Sequence, residues 1–183
     1  MYMRSTEKFS MGFTFFGSMI GVFASEFLIF YNPEARADCL RMWPCAVFSP
    51  FMFGGASMFF SAGVAALILV PVFFVKYVFQ NEDDELKNLR LNCLVAGGGI
   101  ASGGTVITYW IYSIIIEGCP AFGYNADNVY AVVGINTMIL FIPAAMLGMI
   151  GMGIGYILFG LSFFIGFFVR TFNYYKKKYL RGY

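Results

Sequence analysis

Four long apolar runs, separated by short polar ones, set the pattern of the chain. Residues 11–31 form the first run. It has about the length needed to cross a hydrocarbon core of roughly 30 Å. Arg4 and Lys8 precede it as in a signal peptide. However, the run is longer than an ordinary signal core and has no A-x-A site after it, so it reads as a retained first helix. Residues 32–39 are polar, and Trp43 and Pro44 close that loop. The second run is 51–74, with Pro71 near its far end, where neighbouring helices tolerate a proline. Residues 81–92 (NEDDELKNLRLN) are the most polar in the chain and are expected in water between spans. The third run is 93–116, and 118–128 (GCPAFGYNADN) has turn chemistry.

The last run, 129–169, is 41 residues long, twice one span. One reading is a single long helix carrying Pro143; the other is two spans joined by a hairpin near 147–155. A hairpin needs polar turn residues, and LGMIGMGIG has none. The pattern therefore predicts an all-α fold: a four-helix transmembrane bundle with a long fourth helix, forming a single integral membrane domain over 1–183.

Composition narrows the class further. The chain is 60% hydrophobic, 20% aromatic and only 12% charged, with a mean hydropathy of +0.73. Soluble domains carry about 25% charged residues, and disordered chains need low hydrophobicity and high charge. Both classes are excluded. There is no histidine, which removes the commonest general base and metal ligand. Histidine-dependent triads, zinc sites and histidine-ligated haem go with it. No cofactor and no nucleic-acid partner are expected.

Charge distribution orients the runs. With four spans, both termini and the 81–92 loop share one side. That side carries Arg4, Lys8, Lys76, Lys87, Arg90, Arg170, Lys176, Lys177, Lys178 and Arg181, against Arg36 and Arg41 on the other. Ten against two is a strong positive-inside bias. It places both termini in the cytosol, or in the matrix of a mitochondrion. Tyr31, Trp43, Tyr109, Trp110 and Tyr112 suit an outer aromatic belt, and Tyr174, Tyr175 and Tyr179 an inner one.

Lipid tails are as apolar as leucine, so hydrophobicity alone does not bring helices together; small residues that let backbones approach do. Such residues recur at four-residue spacing: Gly17, Gly21 and Ser25; Ser57, Ser61 and Ala65; Gly99 with Gly103 and Gly98 with Ser102; Gly151 with Gly155 and Ser162 with Gly166. We read Gly17, Gly21, Gly99, Gly103, Gly151 and Gly155 as helix-packing positions. Four helices cannot use this many faces among themselves, which leaves at least one for a partner.

Few residues offer chemistry. Glu26 is the one acid inside a span, a candidate ion or proton ligand, or an interfacial residue bonded to Ser25, Thr108 or Tyr109. Lys76 and Glu117 lie at span ends, where snorkelling suffices. Cys39, Cys45 and Cys119 fall on the outer side and Cys93 near the inner side. An oxidising outer compartment would allow a disulfide between Cys39 and Cys45, or between one of them and Cys119. The acidic run Glu82, Asp83, Asp84 and Glu85, followed by Lys87 and Arg90, reads as a solvated helix start. Lys176, Lys177 and Lys178 are expected to attract anionic lipid. The AGGGIASGG cluster lacks the GK[ST] ending of a phosphate loop.

The segment GGGIASGGTVITYWIYSIIIEG, residues 97–118, resembles the third helix and exit of the claudin and peripheral-myelin-protein tetraspans. Those have a glycine-rich third helix, a Trp-Tyr pair and a short second outer loop. MARVEL-type tetraspans are similar in the same loose way. The resemblance implies four helices with both ends inside. The first outer loop departs from it: in place of a Gly-Leu-Trp-x-x-Cys pattern the chain reads CLRMWPC, with Trp43 two residues before Cys45. A paracellular seal or pore is therefore not implied.

The expected function is a non-catalytic structural or accessory subunit that packs laterally against membrane lipids and other membrane-protein subunits. A mitochondrial respiratory-chain or ATP-synthase assembly is one setting, and a plasma-membrane channel partner is another. A small oligomeric channel or transporter using Glu26 is the alternative. A membrane thiol oxidoreductase is a further one, although it would need a CxxC pair that the chain lacks.

Overall fold

The computed structural model describes residues 5–31, 43–80, 83–116 and 129–180. They form four α-helices: α1 (Ser5–Tyr31), α2 (Trp43–Gln80), α3 (Asp83–Ile116) and α4 (Val129–Leu180). No strand occurs among the described residues. Three stretches are long and apolar enough to cross a membrane: Phe51–Phe79 on α2, Asp84–Tyr109 on α3 and Leu140–Tyr179 on α4.

The helix ends follow local chemistry. Glu7 stands in the first turn of α1 and Asp84 in that of α3, where the positive end of the helix dipole favours acids. Pro44 opens α2, where its missing N–H has no intrahelical role. Lys177 and Lys178 occupy the last turn of α4, complementing its negative end. Polar side chains within the helices bond to their own backbone. Thr105 donates to the Ala101 carbonyl at 2.6 Å, Thr171 to Phe167 at 2.8 Å and Asn92 to Asn88 at 2.9 Å. Each group is thereby satisfied within its own helix, with no partner needed from a neighbour.

The helices are longer than the apolar runs that predict them. From residue 83 the segment expected as an aqueous connection is already helix, so α3 begins ten residues before its apolar run. A helix does not stop where its apolar stretch stops, and acids in a first turn promote it. The 129–169 run lies within one continuous helix of 52 residues, passing through Pro143 and LGMIGMGIG without a break.

The helices pack in sequence order, α1 on α2, α2 on α3 and α3 on α4. Each successive pair is antiparallel: Gly17 meets Ser61 while Gly21 meets Ser57, and Gly97 meets Gly151 while Gly155 meets Cys93. In addition, α2 touches α4 near the late part of both, where Gly166 sits against Tyr77. Here α2, α3 and α4 close on a core of Leu69, Phe73, Tyr77, Val78, Leu89 and Cys93, with Phe159 and Phe163 against it. Thus α1 and α4 flank the array. In the described apolar stretch of α2 33% is buried, against 11% in that of α4.

Candidate functional site

Three glycine seams hold the array. All six glycines assigned to packing from the sequence lie at them. Gly17 and Gly21 take Ser61 and Ser57 of α2, and Ser18 Oγ donates to the Gly54 carbonyl at 3.1 Å across the same seam. Gly99 lies against the Phe59 carbonyl and Gly63, and Gly103 against Ala56 and Phe60. Gly151 lies against Gly97 and Ala101, and Gly155 against Cys93 and Leu94. On the α1–α2 seam the glycines meet serine side chains; on the other two the approach is backbone to backbone. A Cβ on Gly103 would stand 2.5 Å from the Phe60 nitrogen and 2.6 Å from the Ala56 oxygen. Neither atom can swing away as a side chain would.

The end where α2, α3 and α4 converge is held by other chemistry. Glu85, in the first turn of α3, is 3% exposed, and its Oε1 lies 3.8 Å from Lys76 Nζ on α2. Lys76 also lies 5.8 Å from the Phe73 ring centre. From α4, the Arg170 guanidinium stacks on Tyr77 at 3.8 Å from the ring centre. Tyr77 also stacks with Phe163 of α4, ring centres 6.3 Å apart. A little further along, Arg90 of α3 donates to the Tyr156 hydroxyl of α4 and lies 5.2 Å from its ring centre. One charged pair or base-to-ring contact therefore joins each pair of these helices: Lys76 with Glu85, Arg170 with Tyr77 and Arg90 with Tyr156.

Glu85 was read from the sequence as part of a solvated run; the structure turns it inward. The signal was present as spacing. Glu85, Leu89, Cys93 and Ala96 recur at helical intervals, and all four are buried. The apolar stripe of α3 simply continues into the acidic segment, and Glu85 occupies its first position. Asp84, Lys87 and Arg90 take the exposed positions.

The remaining candidates stay apart. Glu26 is half-buried on α1. Its suggested partners Thr108 and Tyr109 belong to α3, along which α1 does not pack. They line a small recess with Gly104 and Thr105 instead. Cys39 and Cys119 lie outside the described residues, and only the place of Cys45 in the first turn of α2 is described. The candidate Cys39–Cys45 disulfide therefore lies outside the described residues. Cys93 is a free thiol buried in the core. Lys176, Lys177 and Lys178 are exposed on the last turns of α4, beside exposed Tyr174, Tyr175 and Tyr179.

Among the described residues no group of three or more acidic or cysteine side chains is placed to hold a metal ion. The contacts described above join helix to helix. Comparisons with known families, with curated proteins and with solved structures return no match for the chain.

Proposed function

We propose that the chain crosses a membrane four times, with both ends on one side, and serves as a non-catalytic subunit seated laterally in a larger membrane assembly. The alternating helix directions and the ten-to-two distribution of basic residues support the topology.

The observation that carries the functional reading is α4. Its apolar run of 41 residues is about 60 Å long at 1.5 Å per residue. A hydrocarbon core of roughly 30 Å accommodates about 26 residues even at a steep tilt near 40°. Apolar helix therefore projects beyond the lipid, where water would meet it unless another protein covers it. Where described, that helix is open: Phe141, Ile142, Met149, Ile157, Phe164 and Phe168 are each more than half exposed. Patches of this extent mark interaction surfaces. The glycines of α4 divide in the same way. Gly151 and Gly155 are occupied by α3, whereas Gly153 and Gly160 have nothing within 4 Å of a Cβ position.

A tagged chain, extracted in mild detergent and run on a native gel, is expected to migrate within a heteromeric complex. Migration as a lone monomer or homo-oligomer would overturn the reading. Fractionation of the source membranes then distinguishes a mitochondrial inner membrane from a plasma membrane.

A further inference from the structure

One polar level crosses the array. Thr6, Glu7 and Ser10 of α1 line a cavity with Asn88 and Asn92 of α3, and Leu69 and Phe73 mark the same level on α2. Lys8 and Arg90, both exposed, stand beside these polar residues in the chain. On α4 the level is that of Tyr156, which Arg90 meets. Tyrosine and basic side chains suit the boundary between hydrocarbon and water.

A hydrocarbon core of roughly 30 Å is about 20 residues of helix. Measured from this level, that length leads on α1 to the region between Phe27 and Tyr31, and on α3 to Tyr109 and Trp110. On α2 it leads back to Phe51, where the apolar run begins. Both boundaries thus fall on residues that suit them. Sliding the array to cover more of α4 would draw Lys8, Lys87 and Arg90 into hydrocarbon, and would push apolar turns of α1, α2 and α3 into water at the other end.

Beyond this level α4 runs on from Tyr156 to Leu180. Ile157, Leu161, Phe164, Phe168 and Phe172 follow one another at spacings of three or four, so they share one face. Each is more than half exposed. The stripe is about 22 Å long at 1.5 Å per residue. That is length enough for a partner helix to lay its own apolar face along it.

Charge decides the kind of partner. After Asp127 the chain carries Arg170, Lys176, Lys177, Lys178 and Arg181 and no acid. A second copy on the same stripe would set bases against bases. A helix with acids beside its apolar stripe would complement them.

We infer that α4 beyond Tyr156 stands outside the lipid, on the side of both termini, and docks an amphipathic helix of another subunit whose apolar stripe is flanked by aspartate or glutamate. The inference rests on the reading of the chain as a subunit of a membrane assembly; it adds the surface used and the chemistry of what covers it.

The test is hydroxyl-radical footprinting of the full chain, read by mass spectrometry. The chain alone is placed first in phosphatidylcholine nanodiscs. Failure to incorporate overturns the membrane reading and this surface with it. Phe164 and Phe168, corrected for intrinsic reactivity, are expected to oxidise about tenfold faster than Phe15 and Phe16 of α1, because no water enters the hydrocarbon. Equal protection of all four would put the stripe in lipid and overturn the inference. Protection of Phe164 and Phe168 with a doubled mass would assign the stripe to a second copy and overturn it equally. The heteromeric complex extracted in mild detergent is examined next. Phe164 and Phe168 are expected to become protected there, and a carbodiimide, which joins amines to carboxylates without a spacer, to link Lys176, Lys177 or Lys178 to an acid of a partner helix. Lys176→Glu, Lys177→Glu and Lys178→Glu together are expected to lower the share of chain in the complex about tenfold, with Phe15 and Phe16 still protected in nanodiscs. Absence of any heteromeric complex would overturn the subunit reading as well. A complex that leaves Phe164 and Phe168 open, or that forms equally well with the three glutamates, would overturn this surface alone.

Discussion

The middle of α3 and its beginning meet their neighbours by opposite means. In the middle, Gly97, Gly99 and Gly103 bring backbone against backbone on α2 and α4. At the beginning, Glu85, Leu89 and Arg90 reach across to Lys76, Phe73 and Tyr156 with long or bulky side chains. The difference follows the surroundings. Amid apolar side chains, burial offers helices little reason to associate beyond close packing, so shape decides. Near the polar end a buried carboxylate must be paired, and charge decides. A seam made of shape tolerates no added atom, whereas a contact made of side chains tolerates exchange as long as no charge is stranded.

The sharpest way to break that contrast is Gly103→Leu. The new side chain would press on backbone that cannot give, and the α2–α3 seam is expected to separate. The cost is at or above the upper end of the roughly 1–3 kcal/mol usual for overpacking. Loss of a monodisperse species in size-exclusion chromatography, with a lowered thermal midpoint, checks it. Lys76→Met comes next. It takes one cationic partner from buried Glu85, at a cost below the roughly 3–5 kcal/mol of a fully broken buried pair because the Lys76 side chain is 35% exposed. Pairing Lys76→Met with Glu85→Gln is expected to return most of that stability, whereas a second seam substitution would return none of the loss at Gly103. Replacing Lys176, Lys177 and Lys178 with serine is expected to leave the thermal midpoint unchanged. It should weaken binding to anionic vesicles by about 1 kcal/mol per lysine, read by co-sedimentation at low and high salt. The smallest effect is expected from Gly153→Leu, on the same helix as Gly151 but facing open space. Its thermal midpoint should stay within the shift produced by about 0.5 kcal/mol. A large loss there would show that α4 is seated against something within the chain itself.

Helix number and class were legible from hydrophobic runs, because runs of twenty apolar residues have few other solutions. The glycine positions were legible because four-residue spacing puts small residues on one face of a helix. Which face meets which helix was not. Gly98 and Gly99 are adjacent in sequence, yet Gly99 lies on the α2 seam while Gly98 lies toward Met152 of α4. Only the three-dimensional arrangement separates them. Glu85 was misread because charge was given more weight than period. Its neighbours Glu82, Asp83 and Asp84 suggested a solvated run, although helical spacing to Leu89 and Cys93 already assigned it to the inner stripe. One polar-lined cavity was invisible to the sequence. It joins Thr6 and Ser10 to Asn88 and Asn92, residues far apart in the chain that come together only because α1 and α3 share α2.

Because α3 has glycine backbone contacts on two flanks at once, it cannot rotate about its own axis. A turn by one residue would drive side chains into both seams together. Any internal motion must instead pivot around it, with α1 carried by α2 on one wing and α4 on the other, the two wings tied where Gly166 and Arg170 of α4 meet Tyr77 of α2. A partner that grips α4 would then act on the opposite wing through a rigid axle.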